Sequence, residues 1–237
     1  MKLMILAGPP SAGKTSVVKN MMRRLHPKVK ISFLKIDVVI TFEKEEIGKD
    51  FPDIPVKIVY SGDLCPDHAG VMVIRDGIEW AEKNKSELLI IESAGLCLRC
   101  SPYLNQGLGI VVLSMLGGMN SPLKMGPMVG LADIAVVTKI DLISQAEREV
   151  FRQKVHEVNN SIRLYEVNAL QGTGIDRLLV ELKDMKDIRA DSLVLKGVPP
   201  LGVCTICIGK KDIGWQNHFG VIRKLDTQGA DYLYRGE

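Results

Sequence analysis

Eight residues near the start of the chain have the types and spacing that bind a chain of phosphates. They follow the apolar run from Leu3 to Ala7 and read G-x-x-x-x-G-K-T. In this pattern the glycines let backbone N–H groups converge on an anion, and the next helix adds its positive dipole end. The lysine reaches the β- and γ-phosphates, and the threonine hydroxyl binds Mg²⁺. The predicted phosphate-binding residues are Gly8, Ser11, Ala12, Gly13, Lys14, Thr15 and Ser16.

A second motif, Thr138-Lys139-Ile140-Asp141, indicates which base is bound. The carboxylate of Asp141 can accept two hydrogen bonds, from the N1–H and the exocyclic amine of guanine. Adenine offers no such pair of donors, so the preference for guanine is expected to be strong. The stem of Lys139 can cover one face of the base. Asn168 and Ala169 stand where GTPases present a backbone N–H to the guanine oxygen, which completes the predicted GTP site.

Strands and helices alternate through the first 182 residues, which predicts a mostly parallel α/β sheet with helices on both faces. Ligands of such sheets gather at the carboxyl ends of the strands, and both motifs follow a predicted strand. The charged stretch 43–50 and the polar stretch 61–68 are predicted to be loops. The predicted strands are 3–7, 31–36, 56–60, 88–91, 110–115, 135–137 and 162–167, and the predicted helices are 15–25, 71–83, 144–158 and 175–182.

The composition changes near Lys186, which divides the chain into two predicted parts. Residues 1–185 form a P-loop NTPase domain, and residues 186–237 form a small β-rich appendage. The appendage contains Pro199-Pro200, a C-x-x-C pair and a predicted hairpin of 221–225 with 232–234. Nothing in it alternates with helices, so it is interpreted as a separate appendage.

The bulk properties exclude several classes of partner. The chain has 237 residues, 25% of them charged, and its formal charge of +3 is too small to indicate nucleic acid or a membrane surface as a partner. No apolar run is long enough to span a bilayer, and the first apolar run leads into the phosphate loop rather than a signal-peptide cleavage site. Five cysteines, an odd number, favour a reducing cytoplasm over a disulfide scaffold.

With these motifs the chain resembles the nickel-insertion GTPases, which comprise the hydrogenase-maturation and urease-accessory GTP-binding proteins of the SIMIBI class. The resemblance covers about residues 2–182. Glu92-Ser93-Ala94-Gly95 is close to the Glu-Ser-Gly-Gly of the urease type, and Asp37 follows the second strand as in the family. The stretch from Val112-Leu113-Ser114 through Pro122-Leu123-Lys124 to Thr138 looks like the hydrogenase type.

This resemblance implies a slow, Mg²⁺-dependent GTPase whose hydrolysis of GTP to GDP times the delivery of metal to an apoenzyme. Members dimerise with nucleotide and hold metal at the dimer interface. Carried over to this chain, Asp37 would lie near Mg²⁺ and the attacking water, and Glu92 and Gly95 would respond to the γ-phosphate. The expected catalytic residues are Lys14, Asp37 and Glu92, with Thr15 and Asp37 at the magnesium.

The cysteines indicate a second, softer metal site. Cys65-Pro66-Asp67-His68 looks like the Cys-Pro-His of the urease type with one residue inserted. A thiolate beside an imidazole suits Ni²⁺ or Zn²⁺, and a two-fold axis would double the pair into four ligands.

Two C-x-x-C pairs provide further candidate ligands. Cys97 with Cys100 and Cys204 with Cys207 make a full ligand set for Zn²⁺ or for an iron–sulfur cluster. The pairs either meet within one chain, or share a cluster across a dimer, or do not meet. Cys204 and Cys207 are alternatively small apolar residues of one strand.

Three functions follow from these residues. The first is a cytoplasmic, homodimeric GTPase that delivers nickel or another transition metal to a client metalloenzyme, together with other maturation proteins. The alternative is a redox activator in which nucleotide hydrolysis drives electron transfer from an iron–sulfur cluster. A small-molecule kinase shares the phosphate loop but rarely needs a guanine motif. Neither nucleic acid nor a membrane is an expected partner.

Overall fold

A parallel β-sheet runs through the protein and determines where its motifs lie. The computed structural model describes residues 1–38, 41–62, 65–97, 100–198, 211–214 and 232–233. The described strands pair in the order β7-β6-β5-β1-β4-β2-β3-β8, and all pairs are parallel. They are β1 Lys2–Ala7, β2 Ile31–Asp37, β3 Val56–Tyr60, β4 Leu88–Glu92, β5 Leu108–Ser114, β6 Ile134–Thr138, β7 Arg163–Glu166 and β8 Tyr232–Leu233.

Seven α-helices are described, and they cover both faces of the sheet, as the alternating pattern predicts. Successive residues of β1 point to opposite faces, so that Leu3 lies in one core and Met4 in the other. The first core receives α3 and α6, and the second receives α1. The helices are α1 Lys14–Leu25, α2 Glu43–Asp50, α3 Pro66–Lys83, α4 Ser121–Lys124, α5 Gly126–Gly130, α6 Gln145–Val158 and α7 Ile175–Leu179.

Two predicted loops are wrong, and both lie beside the nucleotide-binding edge. The charged stretch 43–50 is helix α2, which places three glutamates in its first turn and Lys49 in its last, where they complement the helix dipole. Ile47 is fully buried and anchors this helix. The end of the stretch 61–68 is helical, because α3 begins at Pro66, where the missing N–H of proline costs nothing.

The described residues after α7 pack on the sheet domain. Leu193, Leu195 and Ile213 belong to the first core, and Lys196 Nζ lies 2.5 Å from Asp133 Oδ1. Strand β8 pairs with β3 in parallel. The rest of the predicted hairpin and the pair Cys204/Cys207 lie outside the described residues, and the boundary at 185/186 stays a prediction. No described helix combines the length and apolar character needed to cross a bilayer.

Candidate nucleotide and metal site

The phosphate loop connects β1 to α1 and packs tightly against neighbouring backbone. Gly8 has φ 152°, and a Cβ there would lie 2.1 Å from the carbonyl oxygen of Val112. Gly13 precedes α1 in a left-handed conformation. The loop therefore needs glycine at Gly8 for steric reasons, and it presents the start of a 12-residue helix to the cavity at the carboxyl edge.

Lys14 already points its ammonium group into the centre of this loop. Its Nζ donates to the carbonyl oxygens of Gly8 at 2.8 Å, Pro9 at 3.2 Å and Ala94 at 3.3 Å. Burial lowers the pKa of Lys14, and the neighbouring carboxylate of Glu92 opposes that shift. Phosphate oxygens are stronger acceptors for an ammonium than carbonyls are, so a bound triphosphate is expected to replace these contacts.

Glu92, at the end of β4, has an oxygen available for a cation. Its Oε1 accepts a hydrogen bond from Thr15 Oγ1 at 2.8 Å, whereas its buried Oε2 has no hydrogen bond within the described part of the chain. Burial raises the pKa of Glu92. Asp37, at the end of β2, lines the same cavity. Hydroxyl and carboxylate oxygens are hard donors, so Thr15, Asp37 and Glu92 fit Mg²⁺.

A buried lysine that the sequence analysis missed holds these carboxylates together. Lys35 lies in β2, and its ammonium contacts Glu43 of α2, Asp37 at 3.4 Å and Glu92 at 3.6 Å. Burial lowers the pKa of Lys35, but the carboxylates, Glu92 foremost, outweigh it and raise the pKa overall. A lysine between the apolar residues Leu34 and Ile36 of a buried strand was the available signal.

Two adjoining cavities at the carboxyl edge share Ser11, Gly13 and Ser16. The cavity over the phosphate loop has a volume of about 370 Å³ and also contains Lys14, Lys35 and Glu92. The second, of about 340 Å³, is lined by the predicted base-binding residues Thr138, Lys139, Asp141, Asn168 and Ala169, together with Leu142 and Leu170. Together they place the residues predicted to bind the phosphates (the phosphate compartment) next to the residues predicted to bind the base (the base compartment).

Hydrogen bonds tie the guanine motif to the phosphate loop. Thr138 Oγ1 donates to Ala12 O at 2.6 Å, and Lys139 Nζ donates to Ser11 O at 3.0 Å. Asp141 is exposed and lines the base cavity. These contacts fix the distance between the phosphate and base compartments, which a bound nucleoside triphosphate must span.

The far wall of the base cavity is built by the Asn168-Ala169 turn. Asn20 Nδ2 of α1 donates to Ala169 O at 2.6 Å, and Asn168 Oδ1 accepts from the backbone of Leu170 at 3.1 Å. Leu142 and Leu170 are 61% and 85% exposed. These apolar side chains, which the sequence analysis missed, can cover a base face, because small-molecule sites combine apolar walls with a few polar contacts.

Three potential metal ligands converge beside the phosphate cavity. The Sγ atoms of Cys65 and Cys97 and a carboxylate oxygen of Asp67 lie within 4.8 Å of one another. The predicted ligands His68 and Cys100 are not part of this three-residue cluster, and Cys204 and Cys207 lie outside the described residues. Burial raises the pKa of the Cys65 thiol to about 11, so a metal must displace its proton at neutral pH.

One short segment, residues 93–97, contacts both the phosphate loop and this cluster. Ser93 Oγ and the Cys97 amide donate to the two oxygens of Asp67 at 2.6 Å and 2.8 Å. Between them, Gly95 runs so close to the loop that a Cβ there would lie 2.0 Å from Gly8 O. Lys14 also donates to the carbonyl oxygen of Ala94, so one segment connects the phosphate loop with Cys97.

Comparisons with known proteins identify relatives of this chain. An uncharacterized protein of Methanocaldococcus jannaschii is 43% identical over 230 residues, which are 95% of this chain and 97% of that protein. The urease accessory protein UreG of Mycobacterium marinum is 30% identical over 151 residues, 58% of this chain and 65% of its own length.

A similar fold is found in the crystal structure of HypB from Helicobacter pylori in complex with nickel. The TM-score is 0.63 at 18% identity, over 78% of this chain and 86% of that one. The model of the nucleotide-binding domain named CobW/HypB/UreG matches residues 2–166. The chain, with its P-loop NTPase fold, therefore belongs to the CobW/HypB/UreG family.

Proposed function

We propose that this protein is a Mg²⁺-dependent GTPase that delivers a transition metal, nickel or zinc, to a client metalloenzyme. The observation that carries the proposal is the segment 93–97, which contacts the phosphate loop at Gly8 and Lys14 and the thiol cluster at Asp67. A segment shared in this way gives nucleotide state a direct route to the metal ligands.

In this proposal the residues of the phosphate cavity bind GTP and orient water. Lys14 and the loop amides bind the β- and γ-phosphates, and Asp141 selects guanine. Asp37 orients the attacking water, and Gly95 detects the γ-phosphate through the segment 93–97. Mg²⁺, held by Thr15, Asp37 and Glu92, would neutralise charge on the phosphates. Positioning and charge neutralisation of this kind are the main demands of phosphoryl transfer.

The cluster of Cys65, Asp67 and Cys97 supports a divalent cargo more than an iron–sulfur cluster. Two thiols and a carboxylate suit a borderline cation such as Zn²⁺ or Ni²⁺, whereas iron–sulfur clusters are held mainly by four thiolates. The redox-activator alternative therefore gains no support from the described residues. That a similar fold was crystallised with nickel supports nickel as the cargo.

We further propose that the chain works in the cytoplasm as a nucleotide-dependent homodimer, with other maturation proteins and without nucleic acid or membrane as a partner. Further predicted ligands, which a second chain or the appendage would bring to complete the metal site, are His68, Cys100, Cys204 and Cys207. The resemblance to the nickel-insertion GTPases supports these assignments. Domain 1–185 would carry the hydrolysis, and 186–237 would serve the metal or the client.

Phosphate release from GTP and from ATP, with Mg²⁺ and with a chelator, tests the hydrolytic half of the proposal. We expect release from GTP alone, dependent on Mg²⁺ and lost in Asp37→Asn. Elemental analysis of anaerobically purified protein tests the other half, with nickel or zinc expected. Equal hydrolysis of ATP, or protein that takes up no metal when reduced, would contradict the proposal.

A further inference from the structure

One face of α1 carries three polar residues that run from the phosphate loop along the base compartment. Ser16, Asn20 and Arg24 are spaced four residues apart, which places them on one side of the helix. Ser16 lines both cavities, and the other two donate hydrogen bonds to residues 168–174 (the base loop), which lie between β7 and α7. The helix that begins at the phosphate loop therefore also contacts the base loop.

The contact of Asn20 with the base loop is buried, and it uses both hydrogens of the side-chain amide. Asn20 is 5% exposed, and its Nδ2 donates to Ala169 O at 2.6 Å and to Ser16 O at 3.1 Å. Its Oδ1 accepts from Arg24 at 3.4 Å. Two acceptors at one end and a donor at the other match the chemistry of an amide, so all of its polar atoms are satisfied in this orientation.

Arg24 contacts the base loop one helical turn further on. Its guanidinium donates to Gly172 O at 2.8 Å and to Asp176 Oδ1, at the start of α7, at 2.8 Å. Gly172 has φ 78°, and a Cβ there would lie 2.6 Å from Asn20 Oδ1. The base loop therefore packs directly against α1, at a distance that only glycine permits at this position.

Hydrogen bonds within the base loop leave the amide of Ala169 available. Asn168 Oδ1 accepts from the next two amides, those of Leu170 at 3.1 Å and Gln171 at 3.0 Å. The Ala169 amide makes no hydrogen bond to another described residue, and Ala169 lines the base cavity. Only two dihedral angles separate this amide from the carbonyl that Asn20 holds, so Asn20 limits where the amide can lie.

We propose that Asn20 is a positioning residue for guanine recognition, which fixes the Ala169 amide where it donates to the purine oxygen O6. Arg24 supports the same loop from its other end. This role rests on the proposed guanine site, but it concerns a contact different from that of Asp141, which accepts from N1–H and the exocyclic amine. Because α1 also begins at the phosphate loop, the helix sets the distance between the two compartments.

The test compares nucleotide affinities of the full-length protein with Mg²⁺, measured by calorimetric titration. GDP is compared with 6-thioguanosine diphosphate, in which sulfur, a weaker acceptor, replaces O6. It is also compared with inosine diphosphate, which lacks only the exocyclic amine read by Asp141. The variants are Asn20→Leu, which has a similar volume and no donor, and Arg24→Met. Arg23→Met is the matched control, because Arg23 is the adjacent arginine of α1 but pairs with Asp50 of α2.

We expect the unsubstituted protein to bind GDP about tenfold more tightly than its 6-thio analogue, as one hydrogen bond accounts for. Asn20→Leu should reduce this ratio to less than about threefold, because the amide is no longer held in place. The ratio of GDP to inosine diphosphate should stay within about twofold, since the contact of Asp141 is separate. Arg24→Met should lower the GDP to 6-thio ratio by about twofold, and Arg23→Met should leave it unchanged.

Equal losses of affinity for GDP and its 6-thio analogue in Asn20→Leu would overturn the proposal, because Asn20 would then support the fold without positioning the amide. An unsubstituted protein that does not distinguish the two would overturn it as well. Thermal melting shows whether each variant folds; if Asn20→Leu does not, an unchanged ratio in Arg24→Met is the outcome that overturns the proposal. The proposed function fails on a different result, namely that the unsubstituted protein binds GDP no better than ADP, and this role of Asn20 then fails with it.

Discussion

The two edges of the sheet differ in how fully their polar groups are paired. At the amino edge a cavity of about 850 Å³ is bordered by two carboxylates, Asp133 and Glu181, that already have partners. Asp133 accepts from Lys196 and from the Gly109 amide, and Glu181 accepts from Arg163 and Tyr165.

At the carboxyl edge both cavities have less than half that volume, yet some of their polar groups can still bind a ligand or a cation. Glu92 has a buried oxygen without a hydrogen bond in the described chain, and Lys14 donates to backbone carbonyls that a phosphate can replace. Buried polar groups are almost always paired in folded proteins, so a cavity lined by a buried carboxylate with an unpaired oxygen is a better candidate for a binding site than a larger cavity whose carboxylates are paired.

The largest expected effect concerns the base compartment. Asp141→Asn should reduce the preference for GTP over ATP by about 10⁴-fold, because the amide replaces one acceptor by a donor that faces the donors of guanine. Calorimetric titration with both nucleotides measures it. Asp133→Asn is the matched control at the amino edge and should leave the preference unchanged. If the Asp141→Asn protein still prefers GTP, then Asp141 and the base compartment do not select guanine.

The next effect concerns stability at the carboxyl edge. Lys35→Met should lower the free energy of unfolding by about 3 kcal/mol, because it leaves carboxylates that include the buried Glu92 without their central cation. Lys19→Met is the control, because Lys19 also pairs with α2, through Glu46 and Asp50, but at the protein surface. This substitution should lower the free energy of unfolding by less than about 1 kcal/mol.

Chemical denaturation of both variants gives the two free energies. Similar losses for Lys35→Met and Lys19→Met would show that the carboxylate cluster is solvated and that its lysine is one more surface charge. The buried charges of the carboxyl edge would then contribute no more to stability than an ion pair at the protein surface.

The smallest expected effect lies at the amino edge. Lys196→Met removes a half-exposed ion pair with Asp133 and should cost about 0.5 kcal/mol of stability. GTP hydrolysis should not change, since this edge is assigned no part in the nucleotide site. A tenfold loss of hydrolysis on this substitution would mean that the larger cavity takes part in nucleotide binding or hydrolysis, contrary to the comparison of the two edges.

The parts of the site that were predictable from sequence are those whose residues are neighbours in the chain. The phosphate loop and the motif Thr138–Asp141 each combine a strand end with fixed spacing, so local chemistry indicates both. The capped helix α6 was also predictable, because Ser144 and Glu147 form a capping box within four residues.

The parts that were not predictable depend on contacts between distant residues. Lys35 meets Glu43 only because 43–50 forms a helix, and that stretch reads as polar in sequence. Asp67 meets Cys97 across 30 residues, because the strands that precede them, β3 and β4, both flank β2. An inserted aspartate in a metal motif looks like a disruption in sequence, but the fold brings its carboxylate within 4.8 Å of two thiols.

The central claim is that guanine nucleotide and metal are coupled through residues 93–97. The most direct test measures Zn²⁺ affinity of the full-length protein with GDP and with a non-hydrolysable GTP analogue, each with Mg²⁺. We predict affinities that differ by at least about fivefold, and an equal factor in nucleotide affinity with and without Zn²⁺, as linkage requires. Zn²⁺ affinities that are the same in both nucleotide states would contradict the account.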